Sequence, residues 1–237
     1  MKKPGREMKP FFCIFGGKYR VAGRLYPAPA NKVVIEPFAG AAGYSTRYPS
    51  HEVRLYDANP KICVLWDYLI GVKASEILKL PLYGNHVDEF KIPDGAKYLI
   101  GFWWNKASAD PRNMPSSRVK DGTRPNSHWG EVIRARIATQ VGEIKHWSIK
   151  QCSYDKIPNQ AATWFIDPPY NNAAGKAYRY QVESYAELAS FCKTRKGQVI
   201  VCEQDGADWL PFNSIGKIMS NKGPRGKATS AEAVWIK

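Results

Sequence analysis

Four residues, Asp167-Pro168-Pro169-Tyr170, follow the apolar run Thr163-Trp164-Phe165-Ile166. Each proline removes a backbone donor, so a strand that reaches this point stops at a carboxylate and leaves as a stiff, extended corner. Such a corner suits the holding of an amino group carried by an aromatic ring. That nitrogen is a poor nucleophile, because its lone pair is delocalised into the ring. Asp167 can accept one N–H and the Pro168 carbonyl the other, drawing the lone pair back onto nitrogen. Pro169 stiffens the turn, and Tyr170 offers a face for the ring to stack on. The chemistry that fits is methyl transfer to the amine. Positioning then supplies much of the catalysis, and no strong base is needed, since the proton becomes acidic once the methyl group has arrived.

A second set lies near the N-terminus. Glu36-Pro37-Phe38-Ala39-Gly40 follows the apolar Val33-Val34-Ile35, and Asp57 ends the next apolar-alternating run. Small residues after a strand let a backbone approach its ligand closely, and a carboxylate one strand later can accept from both hydroxyls of a ribose. This is a nucleoside-binding pattern, with a dinucleotide or S-adenosylmethionine as the ligand. No GK[ST] follows, which excludes a phosphate loop. Glu36, Asp57, Asp167 and Glu203 all stand at expected strand ends, which suggests one polar cleft.

The elements that must position these groups alternate along the chain. Strands are expected at 33–36, 52–57, 145–153, 162–167 and 198–203. Helices are expected at 60–73, started by Asn59-Pro60, and at 128–144, with Val132, Ile133, Ile137, Val141 and Ile144 on one side. A third, at 184–197, has a Ser184–Glu187 capping box and a Gly197 stop. Residues 95–106 read as a helix with Leu99, Phe102 and Trp103 on one face, or as a strand. Residues 107–127 read as loop, and 215–220 and 231–237 as a hairpin around a basic loop. The alternation predicts an α/β fold with a mainly parallel sheet and a terminal antiparallel hairpin.

Charge points to the partner. The chain of 237 residues carries 35 basic and 21 acidic side chains, a net +14. That excess favours a polyanion, nucleic acid before an anionic membrane. It concentrates in 1–24, 106–136 and 217–227. Arg112, Arg118, Lys120 and Arg124 are candidates for phosphates or base edges, and Arg179, Lys222, Arg225 and Lys227 for tracking a nucleic-acid backbone. The five cysteines show no CxxC and read as reduced thiols of a cytoplasmic protein. The histidines have no metal-ligand spacing, so no metal is expected, and no apolar run approaches a membrane span. Trp103, Trp104 and Trp129 read as core. Tyr178 and Tyr180 belong either to a loop closing over a base or to an ordinary surface loop.

In order, these motifs resemble the Dam-like group of N6-adenine DNA methyltransferases. Phe15-Gly16-Gly17-Lys18 is similar to that family's N-terminal segment, which packs on the cofactor. Glu36 to Gly40 is similar to its cofactor loop, Asp57 to its ribose-binding acid, and Asp167 to Tyr170 to its catalytic corner. Phe15 stands where a tryptophan is usual, Ala42 replaces the loop's second glycine, and Ser153-Tyr154 aligns with an Asp-Phe pair. The resemblance implies a Rossmann-like methyltransferase fold, S-adenosylmethionine as methyl donor, and an adenine flipped out of double-stranded DNA. It implies catalytic parts at 1–74 and 145–237, with a target-recognition segment inserted at 75–144. A stand-alone monomer, in a prokaryotic or phage-infected cell, is expected. The same chemistry on RNA adenine or cytosine N4 is an alternative, as is a non-catalytic DNA-binding protein on this scaffold.

Overall fold

The computed structural model describes residues 8–106, 108–120, 127–173, 175–219 and 229–237. Its centre is a seven-stranded sheet in the order β3-β2-β1-β4-β5-β7-β6. The strands are β1 (Val33–Glu36), β2 (Glu52–Asp57), β3 (Ser148–Gln151), β4 (Thr163–Ile166), β5 (Val199–Gln204), β6 (Asn213–Met219) and β7 (Thr229–Ile236). The first five run parallel, and β7 lies antiparallel between β5 and β6. The chain steps outward from β1 through β2 to β3, then returns to lay β4 on the other side of β1. In open α/β sheets such a reversal leaves a crevice at the carboxyl ends of the strands.

β1, β4 and β5 are buried on both faces, which is why they read as continuous apolar runs. Val34, Phe165, Ile200 and Cys202 point into one cluster, and Ile35, Trp164, Ile166, Val199 and Val201 into the other. β2 alternates because only Val53 and Leu55 are covered, while Glu52, Arg54 and Tyr56 remain half-exposed on the opposite face. No α-helix lies between β3 and β4. The connection to β4 holds a single 3-10 turn, Tyr154–Lys156, so that side of β2 and β3 is thinly covered.

Seven α-helices occur among the described residues: α1 (Tyr19–Leu25), α2 (Pro60–Gly71), α3 (Ala74–Ile77), α4 (Asp94–Trp104), α5 (Ser117–Lys120), α6 (Glu131–Gln140) and α7 (Tyr185–Thr194). The Asn59 side chain caps α2 by accepting from Lys61 N, with Pro60 at the first helical position. Ser184 caps α7 by accepting from Glu187 N. Segment 95–106 is helical, and α4 buries the aromatic run Phe102-Trp103-Trp104. Trp103, Trp104 and Trp129 are core residues.

Two expectations are corrected in detail. Val132 is exposed, because α6 packs through Ile133 and Ile137 instead. Gly197 does not stop α7, which ends at Thr194. Its φ of +93° serves the turn into β5, where a side chain would strike the Ala162 backbone. Described residues from 75–144, including Leu99, Trp104, Ile133 and Ile137, share one hydrophobic cluster with residues of β1, β2 and α2. Among the described residues, no helix is long and apolar enough to cross a membrane, and no three His, Cys, Asp or Glu side chains could hold a metal.

Candidate active site

One cleft of about 380 Å³ opens at the carboxyl ends of β1, β2 and β4. Phe15, Gly16, Gly17, Lys18, Glu36, Pro37, Phe38, Ala39, Gly40, Asp57, Ser153, Tyr154 and Asp167 all line it. Residues up to 152 positions apart are thus brought to one cavity by the strand reversal. Of the corner, Asp167 and Pro169 line the cleft, whereas Pro168 and Tyr170 adjoin these lining residues without forming part of the wall. Glu203 is not part of the wall. Its carboxylate accepts from Asn171 N, Gln204 N and Trp209 Nε1, so this strand-end acid fastens the chain beyond the corner.

The loop after β1 is held open by backbone bonds. Gly40 sits at φ +44°, a left-handed conformation that disfavours any side chain. Its N–H donates to Asp57 Oδ2 at 3.0 Å, and its carbonyl accepts from Trp66 Nε1 at 2.8 Å. Asp57 Oδ1 accepts from Asn59 N at 2.8 Å. The Ala58 backbone also donates to this carboxylate, and with two lone pairs on each oxygen one acceptor site remains for a hydroxyl donor. Burial pushes the Asp57 carboxyl up to about 6, against the opposing backbone donors. Glu36 accepts from Ser45 N at 2.8 Å, and burial pushes its carboxyl up to about 8. Burial therefore favours the neutral form of this acid at the base of the cleft. The Phe38 and Tyr154 rings, 5.5 Å apart, form an aromatic wall.

The far end is built around Asp167. Lys18 Nζ donates to Asp167 Oδ1 at 2.7 Å and to the Gly16 carbonyl at 3.0 Å, and lies 4.7 Å from the Tyr170 ring centroid. Burial pushes the Asp167 carboxyl up to about 6, with Lys18 countering it. Burial alone would lower the Lys18 ammonium, but Asp167 and Glu232 together hold it above its ordinary value. The ion pair favours the charged form of both groups. Among the described residues Lys18 is the one hydrogen-bond partner of the Asp167 side chain, and none donates to the Pro168 carbonyl. The neighbouring Pro169 carbonyl is taken by the Tyr185 hydroxyl at 2.6 Å.

The chain after the corner returns across the cleft. Tyr178 donates its hydroxyl to the Phe15 carbonyl at 2.5 Å, and Tyr178, Arg179, Tyr180, Gln181 and Glu183 join the cleft wall. Of the basic candidates, Arg112 and Arg118 line a separate polar recess with Lys106, Ser108, Ser116 and His128. Ala109 lines the cleft while Ser108 lines the recess, and the Ser108 carbonyl accepts from Phe15 N at 3.1 Å. The Ser108-Ala109 segment thus contributes to the walls of both cavities. Lys120 is exposed at the end of α5. Arg124, Lys222, Arg225 and Lys227 lie outside the described residues.

Two acids escaped the sequence reading. Asp155 lines the cleft directly after Ser153-Tyr154, so the carboxylate absent from position 153 is present two residues later. A shift of the aligned pair would have found it. Glu232 is 3% exposed and accepts from the Tyr170 hydroxyl. Its one signal was an acid inside the otherwise apolar Ala231-Glu232-Ala233-Val234.

The chain is thus a mixed α/β protein with a mostly parallel sheet, compatible with a Rossmann-like fold. No family model matches it, and no curated protein matches it. Among solved structures, a Streptococcus pyogenes chain described as a conserved hypothetical protein aligns over 85% of this chain and 84% of its own, at 11% identity and a TM-score of 0.32.

Proposed function

We propose that this protein is an S-adenosylmethionine-dependent N6-adenine DNA methyltransferase. The observation that carries the reading is the setting of one nitrogen: Lys18 Nζ lies 2.7 Å from Asp167 Oδ1 and 4.7 Å from the Tyr170 ring centroid. An acceptor and a π-face converge where an amine is to be gripped. The free Pro168 carbonyl supplies a second acceptor nearby.

The cleft fits the methyl donor. Its volume of about 380 Å³ falls within the range of small-molecule sites. Asp57 keeps one acceptor site for a ribose hydroxyl, the Gly40 turn admits close backbone approach, and Phe38 and Tyr154 offer rings to an adenine. When bound, the donor's sulfonium supplies an electrophilic methyl group. Lys18 keeps Asp167 ionised and oriented through Oδ1, leaving Oδ2 for an amine N–H. A separate recess lined by Lys106, Arg112 and Arg118 supports a phosphate-bearing partner.

The test is transfer of labelled methyl from S-adenosylmethionine to duplex DNA, followed by digestion and nucleoside analysis. Label in N6-methyladenosine supports the reading. Label in cytosine or only in RNA redirects it, and cofactor-free DNA binding without transfer overturns it.

A further inference from the structure

Glu232 lies in the interior of β7, paired with Gln204 of β5 and Gly216 of β6, and is almost fully buried. A carboxylate in such a place is costly unless it is hydrogen-bonded. Its Oε2 accepts from the Tyr170 hydroxyl at 2.5 Å, and the other face of the same story is the Lys18 ammonium 4.7 Å from that ring. The ring is therefore fixed at its phenolic end and already attracts a cation at its face. Hydrogen bonding to an acid shifts electron density into a phenol ring, and cations are drawn to electron-rich ring faces.

Methyl transfer makes a cation there. The amine's lone pair forms the N–C bond as the C–S bond opens with its electron pair to sulfur. The nitrogen then carries a positive charge until its proton departs to water. We propose that Glu232 is a positioning residue for this step: through the Tyr170 hydroxyl it fixes and enriches the ring that faces the cationic amine. This inference rests on the methyltransferase reading of the site.

The experiment compares wild type, Glu232→Gln, Tyr170→Phe and the double variant in methyl transfer to duplex DNA. Glu232→Gln is expected to lower kcat about tenfold, with KM for S-adenosylmethionine and melting temperature unchanged. Tyr170→Phe is expected to lose a similar factor, and the double variant no more than either, because the two residues act as one unit. Ultraviolet difference absorbance of the tyrosine band, wild type against Glu232→Gln, reads the lost hydrogen bond without turnover. Should Glu232→Gln melt early, Tyr170→Phe carries the test from the other end of the bond. Undiminished kcat in the single variants, fully additive losses, or an unchanged tyrosine band would overturn the role of Glu232 alone. A wild type that transfers no methyl to adenine would overturn the reading of the site and this role with it.

Discussion

On the proposed reading Asp167 grips an amine N–H most strongly when ionised, because a charged acceptor makes the stronger hydrogen bond, and burial pushes its carboxyl up to about 6. The pH profile of kcat is accordingly expected to fall on the acid side of that value. Asp167→Ala removes the acceptor itself and is expected to cost on the order of 100- to 1000-fold in kcat, measured by label incorporation. Asp57 allows a cleaner check on stability. Its carboxyl rises from 3.8 to about 6 on folding through burial. Between those values the folded state holds a proton that the unfolded chain has released, so stability declines as pH rises through the window. The melting temperature of wild type, relative to Asp57→Asn, is expected to drop from pH 4 to pH 7. An unchanged or rising difference would contradict the buried setting. On the proposed reading, affinity for S-adenosylmethionine is expected to move the opposite way, since an ionised Asp57 is the better acceptor for a ribose hydroxyl. These residues were legible in the sequence because an acid or a proline pair after an apolar run marks a strand end. Asp155 and Glu232 were not, because only the fold brings them to the cleft and the corner.

At the scale of elements, a close backbone joint holds α1 to the loop after β1. A methyl group on Gly43 would lie 2.5 Å from Tyr19 N and 3.1 Å from Lys18 backbone atoms. Neither neighbour is a flexible side-chain end, so the start of α1 must shift, and Lys18 with it. Gly43→Ala is expected to cost about 1–3 kcal/mol of stability, read by urea denaturation, and to weaken the Lys18–Asp167 contact. Elements with terminal signals were legible: Asn59-Pro60 and Ser184 cap the helices they announce. Segment 95–106 left helix and strand open because it is apolar on nearly every side, and burial of α4 against α2 decides it. Val132 shows the converse, an apolar residue on a helical face that no partner covers.

At the scale of the whole molecule, charge and cavity meet along one wall. With a net charge of +14 and a basic recess adjoining the cleft, affinity for duplex DNA is expected to fall steeply with salt. Removing a phosphate contact with Arg112→Ala is expected to reduce the slope of log K against log salt by about 0.9, read by fluorescence anisotropy. A salt-independent affinity would contradict this use of the charge. The sequence by itself determined the strand ends, the buried strands, the capped helices and the rigid corner, because these follow from local sterics, hydrogen bonding and apolar pattern. Tertiary structure alone decided that the strand reversal gathers Phe15 to Lys18, Glu36 to Gly40, Asp57 and Asp167 into one cleft. It also decided that Lys18 sits on Asp167 and that Glu232 stands behind Tyr170. Contacts across 149 and 62 residues of chain depend on strand order and register, which no local pattern encodes.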